Sequence, residues 1–221
     1  ITKPTIEGCD TPGQFVAYCA RVSNPANQSN HDTGPKLLRY LMDNAHWSPL
    51  EMVHMVMEIE TTRDIARQIL RHRSFSFQEF SQRYADPTKD LGFVTRQMRL
   101  QDPKNRQNSI EVNDSRILDP KTLRNSDWTR EEWAKKQQAV IDAANEAYQW
   151  AVGYNIAKEQ ARAVLPEGLT ESRLYMSGTL RSWVHYCELR MANGTQKEHM
   201  EIARACWDLC TDHFPMLKEL V

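Results

Sequence analysis

The chain has 221 residues, with 28 Lys+Arg against 29 Asp+Glu and a formal net charge of -1. A chain of this length can bury roughly 70% of its unfolded surface in one large domain or two small ones, and its near neutrality excludes the global basic field that drives nonspecific nucleic-acid binding. It contains no run of about 20 apolar residues and no apolar N-terminal signal core, so the expectation is a soluble, cytoplasmic protein with no membrane partner.

PKLLRYLMDNAHW carries Leu37, Leu38, Leu41 and Met42 at helical spacing behind Pro35, a suitable first-turn residue, which predicts a helix from Pro35 to about Asn44. The period then changes to two. Val53, Met55, Met57 and Ile59 alternate with His54, Val56, Glu58 and Glu60, predicting a strand from Glu51 to Glu60 with one buried face. Thr61 followed by Asp64 resembles a capping box, and Ile65, Ala66, Ile69 and Leu70 form an apolar stripe, so a short helix is expected from Arg63 to Arg73. Asp64, Gln68 and Arg71 share its other face. The tripeptide Arg71, His72, Arg73 then falls at a helix C-terminus, where cations suit the dipole.

Leu100 to Asp127 is polar and aperiodic, and reads as a long excursion or loop. Thr129 with Glu132 is expected to open one long helix whose stripe is Trp133, Val140, Ala144, Ala147, Trp150 and Ala151, broken near Gly153 and stopping before Pro166. Two more helices are expected, from about Glu171 to Arg190 and from Thr195 to Phe214, separated by Asn193-Gly194. With no repeat, linker or low-complexity segment, the fold class is α+β, a single domain over residues 1–221 with a small, mostly antiparallel sheet flanked by long helices.

The five cysteines (Cys9, Cys19, Cys187, Cys206, Cys210) are odd in number and lack the paired CxxC spacing of a zinc site, which favours reduced, structural thiols. Pairs such as His185 with Glu188 and His199 with Glu201 are too generic to mark a metal site, and none is expected. GxSxG, Walker and GxGxxG loops are absent. What remains is arginine: Arg71, Arg83, Arg162, Arg181 and Arg190 lie in or beside apolar, ordered segments, and a half-buried guanidinium needs an anionic or carbonyl partner, whether a phosphate, a uracil-like edge or an intramolecular carboxylate. Residue chemistry alone leaves these open, together with a single-strand-binding module using Arg71, Arg73, Arg83 and Arg96 with Phe75, Phe77 and Phe80.

RHRSFSFQEFSQRY, residues 71–84, resembles the signature of the flavin-dependent thymidylate synthases: Arg-His-Arg, seven residues, Ser, then x-Arg-Tyr. ARVS from Ala20, KLLRYL with HWSPLE from Lys36, ARQILRHR from Ala66, ARAVLP from Ala161 and LRSWVHYCELR followed by Gln196 and Glu198 agree with the same family in order, from roughly residue 15 to 205. The family's C-terminal pattern is R-S-x-x-H-F-x-x-x-R. Departures fall at Thr179, Thr195, Gln78, Leu50 and Met52.

The resemblance implies reductive methylation of dUMP to dTMP, with methylenetetrahydrofolate as carbon donor, FAD as redox carrier and NADPH as reductant, in a homotetramer whose active sites are shared between subunits. It assigns dUMP to Gln68, Arg71, Glu79, Ser81, Gln82, Arg83, Arg162 and Arg190, with Ser81 and Arg83 at the phosphate and Arg190 polarising the uracil ring; Ser81 and Arg190 are the expected catalytic positions. It assigns FAD to Ser23, His46, Ser48, Glu51, Arg71, His72, Arg73, Glu79, Arg181 and His185. No cysteine nucleophile, metal or nucleic-acid partner is implied.

Overall fold

The structure is a computed structural model describing residues 1–112, 117–119 and 124–219. Its helices are α1 (Pro12–Ala20), α2 (Gly34–Asp43), α3 (Arg63–Ile69), α4 (Pro87–Asp90), α5 (Ser126–Gly153), α6 (Lys158–Ala161), α7 (Leu180–Met191) and α8 (Lys197–His213). Its strands are β1 (His54–Thr62), β2 (Ser76–Glu79), β3 (Arg99–Gln101), β4 (Ser109–Glu111), β5 (Ile117–Asp119), β6 (Arg124–Asn125) and β7 (Glu171–Thr179). The main sheet has the order β1-β7-β2. Arg63 N–H donates to Thr170 O and Leu180 N–H to Val53 O, so β1 and β7 run antiparallel.

The chain groups into two compact units, each built from several segments: residues 1–58, 72–77 and 175–221, and residues 59–71 and 78–174. In the first, Leu38, Leu41 and Met42 on α2, Val53 just before β1, Met55 on β1, and Trp183 on α7 are core residues. In the second, Tyr148, Ala151, Ala161 and Leu165 form a cluster joined by Phe93 and Val152.

Several elements differ from the sequence expectation. Residues Ser48–Met52 form a 3-10 turn, so the first strand starts at His54 and extends to Thr62; its alternation holds, with Val53, Met55, Met57 and Ile59 buried. Thr62 rather than Thr61 occupies the N-cap position of α3, without a side-chain capping bond; its hydroxyl instead donates to Asp64 Oδ1 at 2.6 Å. Helix α3 ends at Ile69, so the Arg-His-Arg tripeptide lies beyond the helix, leading into the Phe-alternating β2. Residues 171–179 form a strand where a helix was expected: Ser172, Leu174, Met176 and Gly178 alternate inward along β7, and the helix begins only at Leu180. Thr179, one of the departures, caps α7 by accepting from Ser182 N–H at 3.1 Å.

The polar excursion contains an antiparallel hairpin, with Arg99 opposite Glu111 and Gln101 opposite Ser109; residues 113–116 and 120–123 of that segment lie outside the described ones. Helix α5 is capped by Asn125, which accepts from Trp128 N–H at 2.9 Å, not by Thr129. Its inward positions are Gln137, Ala144, Tyr148 and Ala151, whereas Trp133, Val140 and Trp150 of the expected stripe are exposed. The reason is polar anchoring. Gln137 clamps the preceding segment through its amide, accepting from Arg96 N–H at 2.7 Å and donating to Arg96 O at 3.0 Å, and this two-way bond turns the helix about its axis relative to an apolar count.

Candidate active site

Within the first unit, the loop after α3 brings His72 to the C-terminal half of α7. Arg190 Nε donates to His72 Nε2 at 2.8 Å. A guanidinium has no acceptor, so the imidazole is neutral at Nε2 and carries its proton on Nδ1. The His72 ring stands edge-on to Tyr186, with centroids 4.9 Å apart, and Phe75 stands likewise against Trp183 at 4.8 Å. Behind them, the Tyr186 hydroxyl meets His199 Nε2 at 3.1 Å. His199 is fully buried, and burial, followed by the Arg190 charge and by repulsion from His72 whenever that ring is protonated, lowers its pKa to about 4. Burial likewise holds the Tyr186 phenol protonated well above the ordinary range.

A second group in the same unit lies along the 3-10 turn and the start of α7. Arg181 Nη1 donates to Glu51 Oε1, and His185 stands edge-on to Trp47 at 4.5 Å and lies 3.4 Å from Glu188. His46 is edge-on to Tyr40 at 6.3 Å. His46, Ser48, Arg73, Arg181 and His185 are exposed, as is Ser23 beyond α1. Arg21 of the ARVS segment serves the fold instead: it is buried and donates to Asn30 O and, at 2.7 Å, to Thr33 Oγ1.

Within the second unit, Glu79 at the end of β2 accepts from Ser172 Oγ at 2.9 Å and pairs with the buried Arg63 at 3.5 Å. Arg63 also faces Glu167 at 3.5 Å. Ser81 Oγ accepts from Arg83 N–H at 3.4 Å. Arg83 is half exposed, loosely paired with Glu159 at 3.4 Å, and lies 5.9 Å from the Tyr84 ring. Gln82 is buried, and its Nε2 has no hydrogen-bond partner among the described residues. Arg71 is exposed, Gln68 partly buried, and Arg162 opens the 3-10 turn after α6. A cavity of about 370 Å³ lined in part by Asp64, Arg96, Trp133 and Val140 contains none of the expected nucleotide or flavin residues.

The expected residues therefore fall into both units, and the structure directly joins His72 to Arg190 and Glu51 to Arg181. Sequence reasoning missed Tyr186, His199, Trp47 and Arg63 as parts of this machinery. A signal for His199 existed: it opens the buried α8 stripe that continues through Ala203, Cys206 and Cys210 at spacings of four, three and four.

In the first unit, cations and imidazoles stand beside edge-packed aromatic rings, and the sequence carries no glycine-rich phosphate loop. The model of the family described as thymidylate synthase complementing protein matches residues 6–216, and the chain belongs to this family of flavin-dependent enzymes. A protein from Paramecium bursaria Chlorella virus 1 described as a probable flavin-dependent thymidylate synthase is 45% identical over 98% of this chain and 94% of its own length. A flavin-dependent thymidylate synthase from Synechocystis is 44% identical over 97% and 93%. Among solved structures, a UMP/dUMP methylase from Streptomyces cacaoi bound with 5-Br dUMP superposes with a TM-score of 0.74 at 26% identity, covering 94% of this chain and 88% of that one.

Proposed function

We propose that the protein converts dUMP to dTMP, taking the carbon from methylenetetrahydrofolate and reducing equivalents from NADPH through FAD. The observation that carries this reading is the Arg190–His72 hydrogen bond, which joins the central histidine of the Arg-His-Arg motif to the C-terminal arginine. The donor set fits the two ligands. Gln82 has a buried amide nitrogen without a hydrogen-bond partner among the described residues, beside Ser81 and Arg83, as a nucleotide-binding turn would have. Arg73, Arg181, His46, His185 and Ser48 supply cations and hydrogen-bond groups suited to a flavin diphosphate and ring edge. Bound FAD would supply the redox chemistry that lets NADPH reduce the transferred carbon.

The chain's own residues bind and polarise. Ser81 and Arg83 hold the phosphate, and Gln68, Arg71, Glu79, Gln82 and Arg162 orient the nucleotide. Arg190, always charged, stabilises negative charge developing on the uracil carbonyl. No thiol takes part as nucleophile. Cys187 is fully buried, and its hydrogen bond with Cys210, then burial, drive its pKa far upward; burial and then the Cys210 charge push Cys206 up to about 12. A nucleophilic cysteine needs the opposite surroundings. The exposed Trp133, Val140 and Trp150 on α5 suit subunit contacts in a homotetramer, which sedimentation measures directly.

The testing experiment is the visible spectrum of the purified protein, oxidised, after anaerobic NADPH, and again after dUMP with methylenetetrahydrofolate, with dTMP quantified. Flavin bands that bleach with NADPH and return without oxygen as dTMP forms are expected. A protein that takes up no FAD, or binds FAD without turnover of dUMP, overturns the reading.

A further inference from the structure

Behind the His72–Arg190 pair lies a buried polar couple that an apolar core would not need. Tyr186, 2% exposed, and His199, fully buried, bond to each other at 3.1 Å through hydroxyl and Nε2. Phenylalanine at position 186 would fill the same space without adding a buried hydroxyl that requires a partner. The couple is also placed where it can act. The Tyr186 ring lies 4.9 Å from His72, and the His199 ring 6.2 Å. Arg190 is one turn along α7 from Tyr186.

The Arg190–His72 bond survives only while Nε2 is unprotonated and turned toward Arg190. An imidazole can flip or protonate, and either event ends the bond. Protonation would also set two cations together. Among the described residues, the titratable and charged groups at this centre include Arg190, Tyr186 and Cys187 from α7, His199 and Cys206 from α8, and His72 itself from the loop. Since both His199 and Tyr186 stay neutral through the working range, the couple brings a fixed dipole and no net charge to the side of His72 away from solvent.

We propose that Tyr186 and His199 are positioning residues, whose buried hydroxyl–imidazole bond fixes the His72 ring with Nε2 toward Arg190 and thereby holds Arg190 in its working orientation. The inference rests on the roles proposed above for His72 and Arg190. Neither Tyr186 nor His199 touches substrate in this account; both act through His72.

The test compares wild type with Tyr186→Phe, His199→Leu and His199→Gln. Histidine-labelled ¹⁵N NMR of the holoenzyme reads the His72 tautomer, and dTMP formation is followed against pH. In wild type, His72 should show an unprotonated Nε2 at neutral pH. Tyr186→Phe and His199→Leu should lose the single tautomer, move the acid limb of kcat/KM upward by about one pH unit, and lower kcat severalfold. His199→Gln, whose amide can still bond the Tyr186 hydroxyl but does not titrate, should restore both readouts. If the Leu and Gln variants share the wild-type tautomer and pH profile and differ only in melting temperature, the couple is structural and the proposal fails. A protonated Nε2 in wild type fails it outright. Should His199→Leu not fold, Tyr186→Phe, which removes one oxygen, carries the same readouts. If wild type makes no dTMP, the functional reading falls while the NMR arm still decides the positioning.

Discussion

Arg190 and Arg83, two arginines expected at one nucleotide, are held in opposite ways. Arg190 is braced: it donates to His72, which rests against Tyr186, and Tyr186 is in turn packed among Phe75, Trp183 and His199. Arg83 stands 55% exposed in the turn after β2, with one carboxylate of Glu159 at 3.4 Å. A surface pair of that kind contributes about 0–1 kcal/mol and leaves the side chain free to reorient. The contrast separates two tasks. A group that stabilises charge at the reacting ring must be preorganised, whereas a group that captures a phosphate can be recruited by it.

The contrast fails first if the two arginines behave alike. Arg190→Ala should lower kcat for dTMP formation on the order of a hundredfold or more, with thermal stability little changed because the side chain is only partly buried. Arg83→Ala should chiefly raise the KM for dUMP, roughly tenfold to a hundredfold, as loss of one charge-assisted bond would. Steady-state kinetics on both variants decide this; an Arg190→Ala enzyme with wild-type kcat and raised KM would merge the two roles.

The packed region can also be broken from below. A Cβ on Gly178 would come within 2.4 Å of Phe75 Cδ1 and 2.5 Å of Cε1, well inside contact distance, and Phe75 is confined by Trp183 and Tyr186. Gly178→Ala should therefore destabilise the protein by about 1–3 kcal/mol through overpacking, a fall in melting temperature of roughly 2–12 °C at this chain length. It should also alter the near-UV circular dichroism of the aromatic cluster. Unchanged melting would show that Phe75 swings aside freely and that the floor under His72 is softer than its packing suggests.

Gly178 also marks where the sequence misled. Ser172, Leu174, Met176, Gly178 and Leu180 alternate at period two, yet the stretch runs without punctuation into a true helix, and the helical period of residues 180–190 was extended backward across it. On α5 the error had another source: Trp133, Val140 and Trp150 make a convincing apolar stripe, but the buried Gln137, which bonds the Arg96 backbone, sets the rotation, and hydropathy gives no weight to a buried amide. The alternation of β1, the helix at Gly34–Asp43 and the order of the motifs were legible because period and sterics agree there. The His72–Arg190 contact joins residues 118 positions apart, and neither periodicity nor spacing reaches that far; only the motif resemblance pointed to both ends.

The exposed region has an anchor just past Tyr84. Burial alone would raise the Asp86 pKa, but bonds from the Thr88 hydroxyl at 2.6 Å and Thr88 N–H at 3.0 Å, with help from Gln149 and Lys89, outweigh it and hold the carboxyl below its usual value. A depressed carboxyl stabilises the fold above the unfolded-state pKa, and the contribution is lost as pH falls through the folded one. Thr88→Val removes one of these bonds, so it should cost about 1–2 kcal/mol near neutrality, with the gap to wild type narrowing in acid. Parallel urea melts across pH measure it; a gap that widens in acid would reverse the sign assigned to Asp86.

The smallest effect concerns strain beside His46. Helix α2 ends in a Schellman motif: Ala45 N–H donates to Met42 O at 3.0 Å and His46 N–H to Leu41 O at 2.7 Å, with Ala45 at φ 56° where glycine is usual. Placing a Cβ in the left-handed region costs about 1–2 kcal/mol, partly offset because alanine has less backbone freedom to lose than glycine. Ala45→Gly should then stabilise the protein by about 0.5–1 kcal/mol, raising the melting temperature by roughly 1–4 °C. If the strained alanine serves to fix the direction in which His46 leaves the helix, the same substitution should weaken FAD binding while it raises stability, since the relieved turn samples more conformations. A rise in stability with FAD affinity unchanged would make the strain at Ala45 incidental to the proposed flavin contact of His46, and would leave the His72–Arg190 network as the braced part of this unit on which the proposed function rests.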